Sequence, residues 1–190
     1  MDKSNGYEGI AADFIRARNV RIGPDVVREW ARQFPAGAEV LELACGHGVI
    51  SQVLVEEALR LYAIDASQSL LAAFRERFPD VPAECAAAEE SRYFNRTFDG
   101  VIAWGLMFLL PEETQRVVLA KTAKALKRGG RLLFTAPRGA VAWMDSLTGL
   151  ESRSLSVEEY EALLRDLGFD IEPGRMDAGE NYYYLAVKRA

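Results

Sequence analysis

The stretch Val40-Leu41-Glu42-Leu43-Ala44-Cys45-Gly46-His47-Gly48-Val49-Ile50-Ser51 restricts this chain to few folds. It opens as an apolar run too short for a helix, with Glu42 inside it, and passes through Ala44-Cys45-Gly46-His47-Gly48 into residues that continue as a helix. Small side chains at 44, 46 and 48 let the backbone turn sharply and come close to a ligand. The helix that follows offers unpaired N–H groups and a partial positive charge, which suits a nucleotide-like or carboxylate-bearing ligand. Strand, glycine turn and helix in that order open a nucleotide-binding βαβ unit. The third glycine of a dinucleotide fingerprint is absent, because Gly46-x-Gly48 runs on into Val49, Ile50 and Ser51.

The rest of the chain repeats the unit. Amphipathic spacing predicts helices over 7–18 and 26–34, the second opened by Gly23-Pro24-Asp25, before a first strand at 39–43. A helix over about 48–57 leads to a second strand, Leu61 to Ile64, ending at Asp65, and Ser67 caps a helix to Phe78. Residues 81–86 read as a weak third strand. Residues 98–104 form a fourth, apolar enough to be buried on both faces. Pro111 starts a helix through Leu126 that Gly129-Gly130 stops, and 131–135 is the fifth strand. An irregular stretch over 137–155 precedes a capping box at Ser156, a helix to Leu167, and strands at 169–173 and 182–188. The short link between the last two strands holds no crossover helix, so they are expected to be antiparallel. The expected fold is therefore α/β: a Rossmann-like, doubly wound, seven-stranded sheet of five parallel βα units and a C-terminal antiparallel pair. Asp65 lies nineteen residues after Gly46 at a strand end, where βαβ folds place an acid that accepts from ribose hydroxyls, with Ala66 beside it.

The run Glu42-Leu43-Ala44-Cys45-Gly46-His47-Gly48 resembles the E/D-x-G-x-G-x-G motif of class I S-adenosylmethionine-dependent methyltransferases, with Ala44 where the first glycine is commonest. Phe98-Asp99-Gly100-Val101 resembles that family's fourth strand, and the element order matches its architecture from the first helix onward. The resemblance implies S-adenosyl-L-methionine as cofactor, with residues 44–48 cradling its methionine part and Glu42 acting by way of its amino group. It also implies contacts from the loop after the third strand. In the family an acid in this loop meets the adenine amino group beside a residue whose backbone N–H faces the ring. Alanines 86–88 occupy the usual acid position here, Ala88 and Glu89 are the cofactor candidates, and Glu89 either substitutes for the acid or stands in solvent. Trp104 and Gly105 fall at the ligand end of the fourth strand, where an N/D-P-P-Y motif of nucleic-acid and protein amide enzymes is missing. The last strand is implied to slot between the fifth and sixth.

All parallel strands end on one edge, and ligands bind there. Trp143, Asp145, Glu180, Asn181, Tyr182 and Tyr183 are candidates for that edge, and Tyr7, Phe14 and Arg18 for a helical lid over residues 1–35 of a single domain spanning 1–190. Tyr7, Arg18, Trp143, Asn181 and Tyr183 are the substrate-wall candidates. His47, Tyr7, Asp145 and Glu180 are the candidates for a proton acceptor. A helix start disfavours an imidazolium at His47. Residues 1–6 are polar and expected to be loose.

Composition narrows the partners. A net charge of -5 argues against a nucleic-acid or anionic-membrane surface. No apolar run is long enough to span a bilayer, no secretory leader is read, and the single histidine disfavours a histidine metal site. Cys45 and Cys85 read as reduced fillers of a cytoplasmic protein. The expectation is a monomeric or homodimeric enzyme moving a methyl group to a nitrogen or oxygen of a small-molecule acceptor. Two alternatives stay open at this point: an NAD(P)-dependent Rossmann oxidoreductase, and an S-adenosylmethionine-binding protein without catalysis.

Overall fold

The computed structural model describes residues 2–17 and 23–190. Helices α1 (Ala11–Ala17) and α2 (Pro24–Ala31) precede β1 (Glu39–Leu43), α3 (Val49–Glu56), β2 (Arg60–Asp65), α4 (Gln68–Arg77), β3 (Ala83–Cys85) and β4 (Phe98–Ala103). Then come α5 (Glu112–Ala125), β5 (Leu126–Thr135), β6 (Val141–Met144), β7 (Glu151–Ser154), α6 (Val157–Asp166), β8 (Phe169–Met176) and β9 (Tyr182–Lys188). Seven strands form one sheet in the order β3-β2-β1-β4-β5-β9-β8. The first five are parallel, and β9 runs antiparallel to both β5 and β8. The expected α/β sheet is thus found, with the last strand inserted as the resemblance implied.

Period-two alternation divides the core into two layers. Leu41 and Leu43 of β1, with Ile64, Val101 and Phe134, face Val118 and Leu119 of α5 and Tyr160 and Leu164 of α6. Val40, Ala63, Ile102 and Leu133 face Val27 and Trp30 of α2, Val53 and Leu54 of α3, and Leu71 and Phe74 of α4. Helices on both faces explain why the central strands read as unbroken apolar runs. The same alternation puts Glu42 on the α3 side, where Ser51 Oγ donates to its Oε2 at 2.5 Å.

Helix starts are set by local chemistry. Ser67 Oγ accepts from Leu70 N at 3.1 Å to cap α4, and Ser156 and Glu159 form the expected capping box at α6. Asp99 fixes the opposite end of the sheet, accepting from Glu39 N and from Lys127 Nζ. Among the described residues no helix is long and apolar enough to cross a membrane.

Several boundaries differ from the sequence reading. The first helix begins at Ala11, and residues 4–10 are turns, because Asp2 accepts from Ser4 N and Gly6 N and Ser4 Oγ from Glu8 N. Residues 2–6, expected to be loose, are drawn into these turns by the side chains of Asp2 and Ser4. Residues 137–155 are not irregular: β6 and β7 pair as a hairpin, Val141 opposite Ser154 and Met144 opposite Glu151. Gly129-Gly130 does not stop α5. The helix ends at Ala125 and the glycines lie in an irregularity of β5, where the register against β4 jumps from Phe98↔Leu126 to Gly100↔Arg131. Pro173-Gly174 likewise lies in a register shift of β8, which carries that strand on to Met176.

Candidate active site

A cavity of about 270 Å³ opens where β1, β2, β4 and β5 end. Its floor is the loop between β1 and α3. Ala44 and Gly46 both take left-handed backbone angles, φ 59° and 56°. A Cβ built on Gly46 would meet only Phe14 Cε1, at 3.9 Å, so a side chain there would stand in the ligand space rather than clash with protein. Asp65 fixes this loop across the strand gap: its Oδ2 accepts from Gly46 N at 2.7 Å, and its Oδ1 from Ser67 N at 2.8 Å. The carboxylate thus braces the glycine turn and the start of α4 together, with lone pairs remaining for a bound hydroxyl. Burial raises the Asp65 pKa, and these two amide bonds oppose that rise.

Glu42 reaches the same cavity from β1. It is only 2% exposed, and burial, helped by the nearby Asp65 charge, pushes its pKa up to about 8 against the Ser51 hydrogen bond. A buried acid with one neutral donor is a site for a cationic group. Cys45 is buried beside it, its thiol pushed up by burial and by the charges of Glu42 and Asp65. Among the described residues both cysteines are free and no cluster fit to hold a metal ion occurs.

The remaining walls come from distant parts of the chain. Ala66 follows Asp65, and Ala86 to Glu89 line the β3 side. Trp104, Gly105, Leu106 and Phe108 line the β4 side, with Thr135 from β5, whose Oγ1 accepts from Gly105 N at 2.8 Å. The N-terminal segment supplies Lys3, Ser4, Asn5, Tyr7 and Phe14. Tyr7 stands edge-on to Phe14, and Phe14 edge-on to His47, at 5.1 and 5.8 Å between ring centres. Two anchors hold this segment. Lys3 Nζ lies 2.9 Å from Glu90 and 3.6 Å from Glu89, and Glu8 accepts from Ser67 Oγ, Ser69 N and Ser69 Oγ. Those donors hold the Glu8 carboxyl below its ordinary pKa.

Of the residues singled out from sequence, Glu42, Ala44, Cys45, Gly46, His47, Asp65, Ala66, Ala88, Glu89, Trp104 and Gly105 line this cavity, with Tyr7 and Asn181 at its walls. Gly48 does not. Its Cβ would lie 2.3 Å from Phe78 Cε2, so at φ 87° it lets α3 start against α4. Trp143 packs on Phe108 at 5.7 Å instead of facing the cavity. Tyr183 is fully buried, its hydroxyl accepting from Trp104 Nε1 at 3.0 Å and donating to Asp177 at 2.7 Å; it orients Trp104 and leaves no face for substrate. Asp145 forms a turn, accepting from Leu147 N and Thr148 N. Glu180 is exposed at the β8–β9 turn and outside the cavity wall. Arg18 lies outside the described residues.

Lys3, Asn5 and Phe108 were not singled out. Lys3 and Asn5 sit in a polar terminal stretch, whose only signal was Asp2-x-Ser4, a turn-forming pattern. Phe108 follows an apolar strand and reads as core.

The donor set fits an adenosyl amino acid. A loop of small residues meets the backbone of a ligand, a braced carboxylate stands where a ribose would lie, and a second buried acid faces a cationic group. The Asn5 amide nitrogen, on the cavity wall, is buried with no hydrogen-bond partner among the described residues, as expected of a wall completed by a ligand.

Comparison with known proteins agrees with this chemistry. Residues 40–130 match the family described as "Methyltransferase domain". A probable S-adenosylmethionine-dependent methyltransferase of Mycolicibacterium smegmatis is 26% identical over 140 residues, covering 72% of this chain and 54% of that protein. The demethylmenaquinone methyltransferase of Corynebacterium urealyticum is 37% identical over 97 residues, covering 50% and 40%. The chain thus spans about half the length, or less, of these curated relatives. Among solved structures, the magnesium protoporphyrin IX methyltransferase of Synechocystis with bound S-adenosylmethionine superposes with TM-score 0.79 at 16% identity, covering 99% of this chain and 97% of that one. A TehB-like methyltransferase from Corynebacterium glutamicum gives 0.72 at 18% identity over 98% of each chain.

Proposed function

We propose that this chain, whose residues 40–130 match a methyltransferase-domain family, is a class I S-adenosylmethionine-dependent enzyme that moves a methyl group to a nitrogen or oxygen of a small-molecule acceptor by direct displacement. The observation that carries the reading is Glu42, a buried acid opening on the same cavity as the Asp65-braced glycine turn. A nicotinamide cofactor carries no ammonium to pair with it, whereas the amino-acid portion of S-adenosylmethionine does. When bound, S-adenosylmethionine supplies an electrophilic methyl group on sulfur.

The residues do the rest by placement. Asp65 holds the Gly46 N–H and receives the ribose, and the turn 44–47 keeps side chains away from the amino-acid portion. Positive charge disperses as the methyl moves, so no covalent enzyme intermediate is required, and alignment alone can supply roughly 7–11 kcal/mol. Aromatic faces on the wall, Trp104 and Tyr7 foremost, favour a sulfonium by about 0.5–2 kcal/mol each. His47 and Tyr7, also on the wall, are the groups able to take a proton from an acceptor that must lose one. Residues 2–17 act as a lid, latched through Glu8 and Lys3.

The aromatic and aliphatic side chains of Tyr7, Phe14, Leu106, Phe108 and Leu109 favour an acceptor with an apolar or aromatic body. The demethylmenaquinone methyltransferase among the relatives is in keeping with such an acceptor. The test is transfer of a tritiated methyl from S-adenosylmethionine to a panel of apolar phenols, quinols and amines. Counts in an extracted product, with stoichiometric S-adenosylhomocysteine, support the reading. Cofactor binding with no transfer to any member would favour a binding protein without catalysis.

A further inference from the structure

The β3 side of the cavity has no acidic side chain where the family resemblance leads one to look, because residues 86–88 are all alanine. The backbone of this loop is instead gripped from behind. Lys121 of α5, which is not among the residues lining the cavity, donates from Nζ to Ala88 O at 3.0 Å, Glu89 O at 2.6 Å and Ser91 O at 2.7 Å. All three ammonium protons are used, and the charge lies 4.8 Å from the centre of the Tyr93 ring. Ala87 O takes Glu90 N and Ser91 N at 3.0 and 2.9 Å, closing the turn around the ammonium. Ala88 and Glu89, two of the gripped residues, stand on the cavity wall. In a trans peptide the N–H points opposite to the C=O, so drawing the Ala88 carbonyl to Lys121 turns the Glu89 N–H the other way.

We propose that Lys121 is a positioning residue for nucleobase recognition: it fixes residues 88–91 so that the purine of the cofactor is met by peptide groups instead of a carboxylate. The proposal rests on the methyltransferase reading above. Lysine suits the task because three convergent carbonyls match a compact ammonium with three donors; the planar guanidinium fork of arginine does not reproduce that tripod. The Glu89 side chain, paired with Lys3, belongs to the latch of the N-terminal segment and not to the purine.

The test compares Lys121→Met, which keeps length and apolar stem, with Lys121→Arg, by calorimetric titration with S-adenosylhomocysteine and with methylthioadenosine, which has the nucleoside but no amino acid. Each titration is run well below the melting temperature of the variant. Loss of charge-assisted hydrogen bonds predicts that Lys121→Met raises Kd for both ligands by the same factor, roughly tenfold, and that Lys121→Arg does not restore it. A purely structural lysine would lower the melting temperature and leave both affinities as they are, and that result overturns the proposal. So does a loss confined to S-adenosylhomocysteine. Should Lys121→Met not fold, Lys121→Gln is expected to show a smaller rise shared by both ligands, and wild-type affinity in it overturns the proposal equally. Wild-type protein that binds neither ligand removes the cofactor reading and this one together; wild-type binding with unchanged variants removes this one alone.

Discussion

At pH 6 the ligand-free protein should hold Glu42 as the neutral acid, and cofactor binding should expel its proton. The side chain is 2% exposed, its hydrogen-bond donor is the neutral Ser51 hydroxyl, and the charged group acting on it is another acid, Asp65. Cys45, the other titratable neighbour, is itself held protonated by burial. Burial therefore dominates and sets the Glu42 pKa at about 8. An α-ammonium placed against this carboxyl reverses the balance, because an opposite charge favours the ionised form. If Glu42 is ionised throughout in the complex, affinity must rise with pH until the free protein also loses the proton. Between pH 6 and 7.5 that linkage amounts to about a 25-fold tightening. Calorimetry with S-adenosylhomocysteine, run in buffers of different ionisation enthalpy, measures both the affinity and the proton released. Wild type should release close to one proton at pH 6.5, and Glu42→Gln should bind more weakly at pH 7.5 with a flat profile. A wild-type Kd constant within threefold over this range, with no proton released, refutes the reasoning.

Other expectations concern the loop and the ligand-free protein. Gly46→Val places a branched side chain at φ 56° facing the ligand space, so it should cost about 1–2 kcal/mol of stability and weaken cofactor binding by well over tenfold, read by denaturation and titration. Gly48→Ala strains a residue at φ 87° and drives its methyl into Phe78, so it should destabilise by about 2–4 kcal/mol in urea without a direct effect on the ligand space. The Glu42 and Asp65 pKa values are both raised by folding, so their contribution is full below the ordinary carboxylate range and is lost as pH rises, for Glu42 through about 8. The melting temperature of ligand-free protein should accordingly fall from pH 5 to pH 8, and Glu42→Gln should flatten that fall.

The sequence made most of the sheet readable because its signals are local. The β1 run, its glycine turn and Asp65 at the end of β2 each follow from spacing within about twenty-five residues, and the structure joins them through the Gly46–Asp65 bond. The antiparallel pair was legible from a connection too short for a helix. What escaped depends on partners far along the chain. Lys3 and Glu8 look like solvated charges until Glu90 and Ser67, some sixty or more residues away, are brought against them. The hairpin of β6 and β7 carries Ser152 and Ser154 inward and Val141 and Met144 outward, so polarity gives no guide to its strands. Tyr183 read as a substrate wall because an aromatic near a strand edge looks alike whether it meets a ligand or, as here, a tryptophan N–H and a carboxylate. Lys121 carries no sequence signal of its role because its three acceptors are backbone carbonyls, which leave no trace in side-chain pattern.

The central claim is geometric: one cavity grips an adenosyl amino acid between Asp65, Glu42 and the turn at 44–47. A crystal structure of the chain grown with S-adenosylhomocysteine tests it most directly. The account predicts ribose hydroxyls within hydrogen-bond reach of Asp65, the amino group on the Glu42 side of the glycine turn, and the purine against Ala88 and Glu89. An adenosyl group seated elsewhere, or a cavity without ordered ligand at saturating concentration, contradicts it.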